Sequence, residues 1–330
     1  MEDIVLQVSD LYAGFHTKTG ILHAVNGISY SLSKGETVAI VGESGCGKSC
    51  SVLSLVQLLP ERAGFISGGK VLYHDMDLLK LSKSEIRKIR GKDISIVFQD
   101  PLHSLNPVMR IGDQIEEKII RHMGCSKEAA TKQCLEVLDM VQIPDPYERM
   151  KCFPHQLSGG MRQRVMIAIA LACYPQIIIA DEPTTALDVT IQAEIIDLMK
   201  SLKEQLGMSL IWISHDLGVV AQLADKVLVM YGGRIVEEAS VFELFDKPSH
   251  PYTRGLLGSL PNFIDFDRNK KLDTIEGSPL DLFEIPNYCF FSSRCKFACE
   301  KCLQHYPKNF CISKNHNVSC WVDPETGVLR

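Results

Sequence analysis

The stretch Thr37-Val-Ala-Ile-Val-Gly42-Glu-Ser-Gly-Cys-Gly-Lys48-Ser49, "TVAIVGESGCGKS", decides the fold. Its first five residues lack polar/apolar alternation and read as a strand buried on both faces. The rest fits G-x-x-x-x-G-K-[ST]. A helical run, Ser51 to Leu59, follows. Strand, glycine loop and helix in that order make a phosphate cradle. The glycines let backbone N–H groups approach a polyphosphate, and the helix N-terminus adds a favourable dipole. Lys48 is then expected on the β- and γ-phosphates, and Ser49 on Mg²⁺. Gly42, Ser44, Gly45, Gly47 and Cys50 complete the expected nucleotide contacts.

Other short apolar runs have the same character: Ile94 to Phe98, Ile177 to Ala180, Leu210 to Ile213 and Val227 to Met230. Helical patterns such as Thr190 to Gln205 lie between them, so the expected class is α/β with a parallel sheet. From Gln99 to about Cys173 no strand run appears, and Ser126 to Val141 reads as an amphipathic helix. This segment, about 100–173, is expected to be a helical insert. Val227 to Ala239 reads as a hairpin turning at Gly232-Gly233. After about Ser240 prolines recur, at 248, 251, 261, 279 and 286, and cysteines follow. The expected division is 1–240 as nucleotide-binding domain and 241–330 as a loop-rich extension.

The bulk numbers agree with such a chain. At 330 residues it suits two domains, or one with an extension. Its 45% hydrophobic content supports a sizeable core, and a net charge of −5 offers nothing to nucleic acid. The start, "MEDIVLQVSDLYAGF", is acidic where a signal peptide would be basic, so no export signal is expected. The longest apolar stretch, Val165 to Cys173, is too short to span a membrane. Any membrane role is expected to come through partners.

Two more elements carry chemistry. Ile177-Ile-Ile-Ala-Asp181-Glu182 ends a buried strand in two carboxylates, where ligands bind in open α/β sheets. Asp181 can hold Mg²⁺ and Glu182 can polarise an attacking water. Leu157-Ser158-Gly159-Gly160-Met-Arg-Gln163 opens a helix and offers backbone donors to an anion.

Taken in order, Gly42–Ser49, Gln99, Leu157–Gln163, Asp181-Glu182, Ala186-Leu187-Asp188 and His215 resemble the ATP-binding subunit of ABC transporters. The resemblance implies a P-loop NTPase of ABC type with a helical subdomain. It also implies head-to-tail dimers, each site joining the phosphate loop of one subunit to Ser158, Gly159 and Gly160 of the other. On this basis Glu182 is the general base, His215 contacts the γ-phosphate, and Asp188 communicates across the dimer. Gln99 contacts Mg²⁺ or the attacking water and relays its state to a membrane partner. Phe15, or Tyr12, stacks on adenine.

"VFQDPLHSLNP" (97–107), "LSGGMRQRVMIAIAL" (157–171), "ADEPTTALDVTIQAEI" (180–195) and "HPYTRGLL" (250–257) resemble the D-type ATPases of oligopeptide and dipeptide importers. That resemblance implies an ATPase coupled to peptide uptake, peripheral on the cytoplasmic face of the membrane. Its implied partners are a paralogous F-type ATPase, two transmembrane permease subunits and, indirectly, a solute-binding protein.

The cysteines allow three readings: structural residues, a zinc site at Cys299-x₂-Cys302, or an iron–sulfur site. Cys289, Cys295, Cys302 and Cys320 resemble the pattern of the extension in this subfamily, which implies a [4Fe–4S] cluster with Cys299 and Cys311 as bystanders. Lys296 stands where that pattern often has proline. Cys46, inside the phosphate loop, is expected to have a lowered thiol pKa at the helix N-terminus. Its readings are a tolerated variable position or an oxidation-sensitive one.

Overall fold

The computed structural model describes residues 3–185, 187–259 and 274–330; Ala186 and Pro261, named above, lie outside them. The chain divides into two compact units.

One unit is built mainly from Ser33–Thr37 and Lys80–Ile213. Its strands Ile94–Val97, Ile177–Asp181 and Ser209–Ile213 run parallel, with Ile94 opposite Ile177 and Asp181 opposite Ile213. Every residue of the last two strands is buried, which is why they read as unbroken apolar runs. Between the strands Ile94–Val97 and Ile177–Asp181 lie the helices Pro101–Ser104, Ile111–Met123, Lys127–Met140, Pro146–Arg149 and Gly159–Leu171. This is the expected helical insert. Its ends follow local chemistry: Gly124 closes one helix in the left-handed conformation, and the Ser126 side chain caps the next by accepting from Ala129 N–H. Lys118 is half-buried, and its ammonium donates to Ile169 and Ala170 carbonyls at the C-terminal end of Gly159–Leu171. Burial lowers its pKa to about 8.

The other unit comprises Ile4–Leu32, Val38–Leu79 and Ser214–Arg330. It holds an antiparallel sheet that the apolar runs did not announce, in the order Gly20–Ser33, Ile4–Thr17, Gly64–Tyr73, Met76–Asp77. Leu6 pairs with Tyr73 and Phe15 with Gly64, with the register shifting between Ser9 and Tyr12. The unit also carries Val38–Val41 parallel to Lys226–Val229, and the antiparallel hairpin Lys226–Tyr231 with Arg234–Ser240. That hairpin turns at Gly232-Gly233, as expected. His316–Val318 joins the hairpin edge, Glu237 opposite Val318, and pairs with Phe310–Ser313 on its other side.

Residues beyond 240 share a core with the hairpin. Tyr252, Phe290 and Phe291 pack in one cluster with Val41, Val229 and Tyr231. Tyr231 meets Phe291 edge-on at 5.2 Å and Tyr252 at 4.8 Å. Among the described residues, no helix is long and apolar enough to cross a membrane.

Candidate functional site

The phosphate loop is built as its spacing requires. Strand Thr37–Val41 delivers Gly42, and Gly47 sits at the N-terminus of helix Lys48–Leu55 without a side-chain cap. Two glycines are needed here for reasons the structure makes explicit. A Cβ on Gly42 (φ +152) would lie 2.3 Å from the Met230 carbonyl oxygen. One on Gly47 (φ +101) would lie 2.1 Å from that of Ala24. The loop therefore runs close against its surroundings at both glycines.

Lys48 is 5% exposed, and its ammonium donates to the carbonyls of Gly42 at 2.7 Å and Glu43 at 3.1 Å. Ser49, Ser44 and Gly45 are exposed, while Cys50 is buried and its thiol is raised to about 11 by desolvation. Cys46 runs against expectation. It is buried, and desolvation raises its pKa more than Lys48 lowers it. The lowered thiol expected at this position is therefore corrected. Phe15 is half-buried and Tyr12 exposed, on the antiparallel sheet of the same unit; His215 is exposed just ahead of helix Leu217–Leu223.

Sequence reasoning passed over three residues that hold this loop. Glu43 accepts both guanidinium nitrogens of Arg294, at 2.7 and 2.9 Å, and its N–H donates to the Tyr252 hydroxyl at 2.8 Å. Arg294 lies one residue before a cysteine that drew attention instead. Nothing local could have joined residues so far apart in the chain.

In the other unit, Asp181 ends its strand 9% exposed, and Glu182 follows in the left-handed region, φ +45. A non-glycine residue held there stores strain, a frequent mark of functional positions. Gln99 and Glu182 are brought together: Gln99 Nε2 donates to Glu182 Oε2 at 3.1 Å. The Thr185 hydroxyl donates to the same oxygen. Ser158 caps helix Gly159–Leu171 by accepting from Met161 N–H, leaving Gly159 open on its Cβ side. Gly160 is tighter, since a Cβ would meet Ile191 Cγ2 at 2.9 Å. Asp188 caps Val189–Leu206 by accepting from Ile191 N–H.

The iron–sulfur expectation is corrected. Cys289, Cys295, Cys302 and Cys320 line one pocket, together with His250 and Trp321. Yet among the described residues no group of three or more His, Cys, Asp or Glu side chains is placed to hold a metal ion. The cavity is about 10 Å³, barely room for one water. Burial raises all four thiols, Cys289 to about 12 and the other three to about 11. Cys302 instead faces Cys299, the expected bystander, with sulfurs 3.4 Å apart. The zinc alternative at Cys299 and Cys302 meets the same finding.

Compared with known families, residues 25–185 match the one described as "ABC transporter". Residues 236–302 match "Oligopeptide/dipeptide transporter, C-terminal region". The chain is 50% identical over 321 residues to the dipeptide transport ATP-binding protein DppD of Bacillus subtilis (strain 168), covering 97% of this chain and 95% of that one. It is 48% identical over 318 residues to the oligopeptide transport ATP-binding protein OppD of the same organism, covering 96% and 88%. Among solved structures it is similar to a dimeric ATP-binding cassette in a post-hydrolysis state bound to ADP and Pi. There the TM-score is 0.64 at 29% identity, over 72% of this chain and 98% of that one. It is similar also to cbiO1 from Clostridium perfringens, part of the ABC transporter complex cbiONQ, with TM-score 0.63 at 30% identity, over 74% and 91%. These findings correct the expected heterodimer. The dimeric solved relatives are described as dimers of one cassette, and no paralogous F-type ATPase is indicated.

Proposed function

Because the chain belongs to the ATP-binding subunits of oligopeptide and dipeptide ABC transporters, we propose that its two motif sets drive peptide uptake by binding and hydrolysing ATP. One observation carries the assignment of the nucleotide. The Lys48 ammonium lies within the glycine loop, at an uncapped helix N-terminus, the arrangement a polyphosphate requires. Lys48, Gly42, Ser44, Gly45, Gly47, Ser49 and Cys50 bind the phosphates, with Phe15 beside adenine. Glu182 takes the proton of the attacking water, Gln99 orients that carboxylate, and His215 contacts the γ-phosphate.

The donor set suits Mg²⁺. The Ser49 hydroxyl, the Gln99 amide oxygen and the Asp181 carboxylate are all hard oxygens. Bound there, Mg²⁺ would neutralise charge on the phosphate oxygens. Ser158, Gly159 and Gly160 serve the nucleotide held by a second copy, with Asp188 at that junction. The dimeric cassette to which this chain is similar supports a homodimer. Two permease subunits and a solute-binding protein complete the reading, which puts the chain on the cytoplasmic face of the membrane as a peripheral subunit. Residues 1–240 would form the nucleotide-binding domain and 241–330 the extension.

The test is phosphate release by the purified chain and peptide uptake by cells carrying it. Glu182→Gln should retain ATP binding and lose roughly 10²–10⁴ in turnover, the usual worth of a general base. Unchanged turnover would remove Glu182 from that role. Normal uptake of dipeptides and oligopeptides in cells lacking the chain would count against the substrate.

A further inference from the structure

The second residue of the phosphate loop is held from three sides. The Glu43 N–H donates to the Tyr252 hydroxyl, its carbonyl accepts from Lys48, and its carboxylate accepts a two-pronged pair from Arg294. The Arg294 side chain is 4% exposed and that of Glu43 25%, so the pair is largely out of water. Arg294 is itself fixed, since its Nε donates to the Glu276 carbonyl at 2.9 Å. Its guanidinium also lies by the Tyr231 and Phe291 rings, 5.8 and 5.9 Å from their centres. Tyr252, Glu276 and Arg294 all come from the extension. A second latch runs from the hairpin, where Gly233 N–H donates to the Cys46 carbonyl at 3.0 Å.

A phosphate loop works by holding backbone amides in fixed directions, so what holds Glu43 governs the cradle. A planar guanidinium fork on a carboxylate fixes orientation as well as distance. Lysine could supply the charge but not the fork. We propose that Arg294 is a positioning residue for the phosphate loop, through which the C-terminal extension sets the loop's affinity for ATP. This rests on the reading of the loop as the ATP site. Arg294 touches no reacting atom; it acts through Glu43.

The test uses the full-length chain with steady-state ATPase kinetics, ATP titration and thermal melting. Arg294→Ala should raise KM and Kd for ATP by about tenfold to a hundredfold, the worth of a charged hydrogen-bonded pair, while kcat changes much less. Glu43→Gln, which keeps the shape, should show a loss of the same kind. The double variant should add little to either single one, because both remove the same link. Arg294→Lys should recover only part of the affinity. ATP should also slow amide exchange over residues 274–296, since coupling of the two sites is reciprocal. Unchanged KM in a folded Arg294→Ala chain would overturn the proposal, as would additive losses in the double variant. If Arg294→Ala does not fold, Glu43→Gln decides alone. A wild-type chain that binds no ATP would sink the functional reading first, and this one with it.

Discussion

Gln99 Nε2 donates to Glu182 Oε2 across 3.1 Å, joining two residues 83 positions apart. The Thr185 hydroxyl reaches the same oxygen at 3.1 Å. The backbone of Glu182 is held too, its N–H donating to the Ile213 carbonyl at 3.1 Å while φ stays at +45. A carboxylate fixed at both its backbone and its side chain is oriented before substrate arrives. Such preorganisation is what a general base needs.

Gln99→Ala removes one support of Glu182 without removing the carboxylate that we propose as the base. Turnover of ATP should fall by about tenfold, less than for Glu182→Gln, as expected when orientation is lost but the proton acceptor stays. Thr185→Val should cost less again. Phosphate-release kinetics on the three variants check the ranking. Equal losses for Gln99→Ala and Glu182→Gln would mean that Gln99 does more than orient.

The glycines of the phosphate loop should not be equivalent. At Gly47 both the backbone and the space forbid a side chain, with φ at +101 and the Ala24 oxygen 2.1 Å from a Cβ. At Gly45 φ is +80, but nothing lies within 4 Å. Gly45→Ala should therefore cost about 1 kcal/mol of backbone strain, and Gly47→Ala at least about 3 kcal/mol as its surroundings shift. Urea midpoints at constant m-value would measure both. Equal costs would show that the loop moves freely away from Ala24.

These particulars mark what the sequence could reveal. The parallel strands were legible because burial on both faces leaves an unbroken apolar run, as in Ile177–Asp181 and Ser209–Ile213. The insert was legible because no strand run interrupts it and Ser126 to Val141 carries a helical pattern, realised as the helix Lys127–Met140. The antiparallel sheet was not. Ile4–Thr17 alternates only in part, and the register shift between Ser9 and Tyr12 breaks the period. Within the candidate site, motif spacing exposed Lys48, Asp181 and Glu182. It could not expose Arg294, whose partner Glu43 lies 251 residues away. The cysteine spacing misled because it describes sulfur along the chain, and not the space around each sulfur.

Glu237 is the buried anchor of the hairpin. Its side chain is 0% exposed and accepts from His316 Nε2 at 2.7 Å, Ser249 N–H at 2.6 Å and His250 N–H at 2.9 Å. Glu237→Leu would leave three buried donors without their acceptor. The expected loss is about 3–5 kcal/mol, the range for breaking a buried charged network. Glu237→Gln should cost less, because one carbonyl oxygen remains to accept. Denaturant unfolding of both variants checks this. A loss below about 1 kcal/mol for the leucine variant would mean that water reaches the donors.

His250 makes the same region sensitive to acid. It is fully buried, its Nδ1 accepts from Tyr252 N–H at 3.1 Å, and burial pushes its pKa down to about 4. In the unfolded chain an ordinary histidine takes up its proton near pH 6.5. Between about pH 6.5 and about pH 4 the unfolded state therefore binds more protons than the folded one. Stability rises with pH across that window and is lost as pH falls through it. His250 is also the cap of helix Pro251–Gly258, so the comparison must keep the cap. Asparagine does so, with an acceptor oxygen and no titration. From pH 6.5 to 4.5 the wild type should lose about 2 kcal/mol more than His250→Asn, allowing roughly 1.4 kcal/mol per pH unit once the unfolded histidine is charged. Urea midpoints at the two pH values give the difference directly, with the carboxylates common to both chains cancelling. Parallel losses would mean that His250 is protonated in the fold as readily as in solution, and that its burial does not govern the acid response.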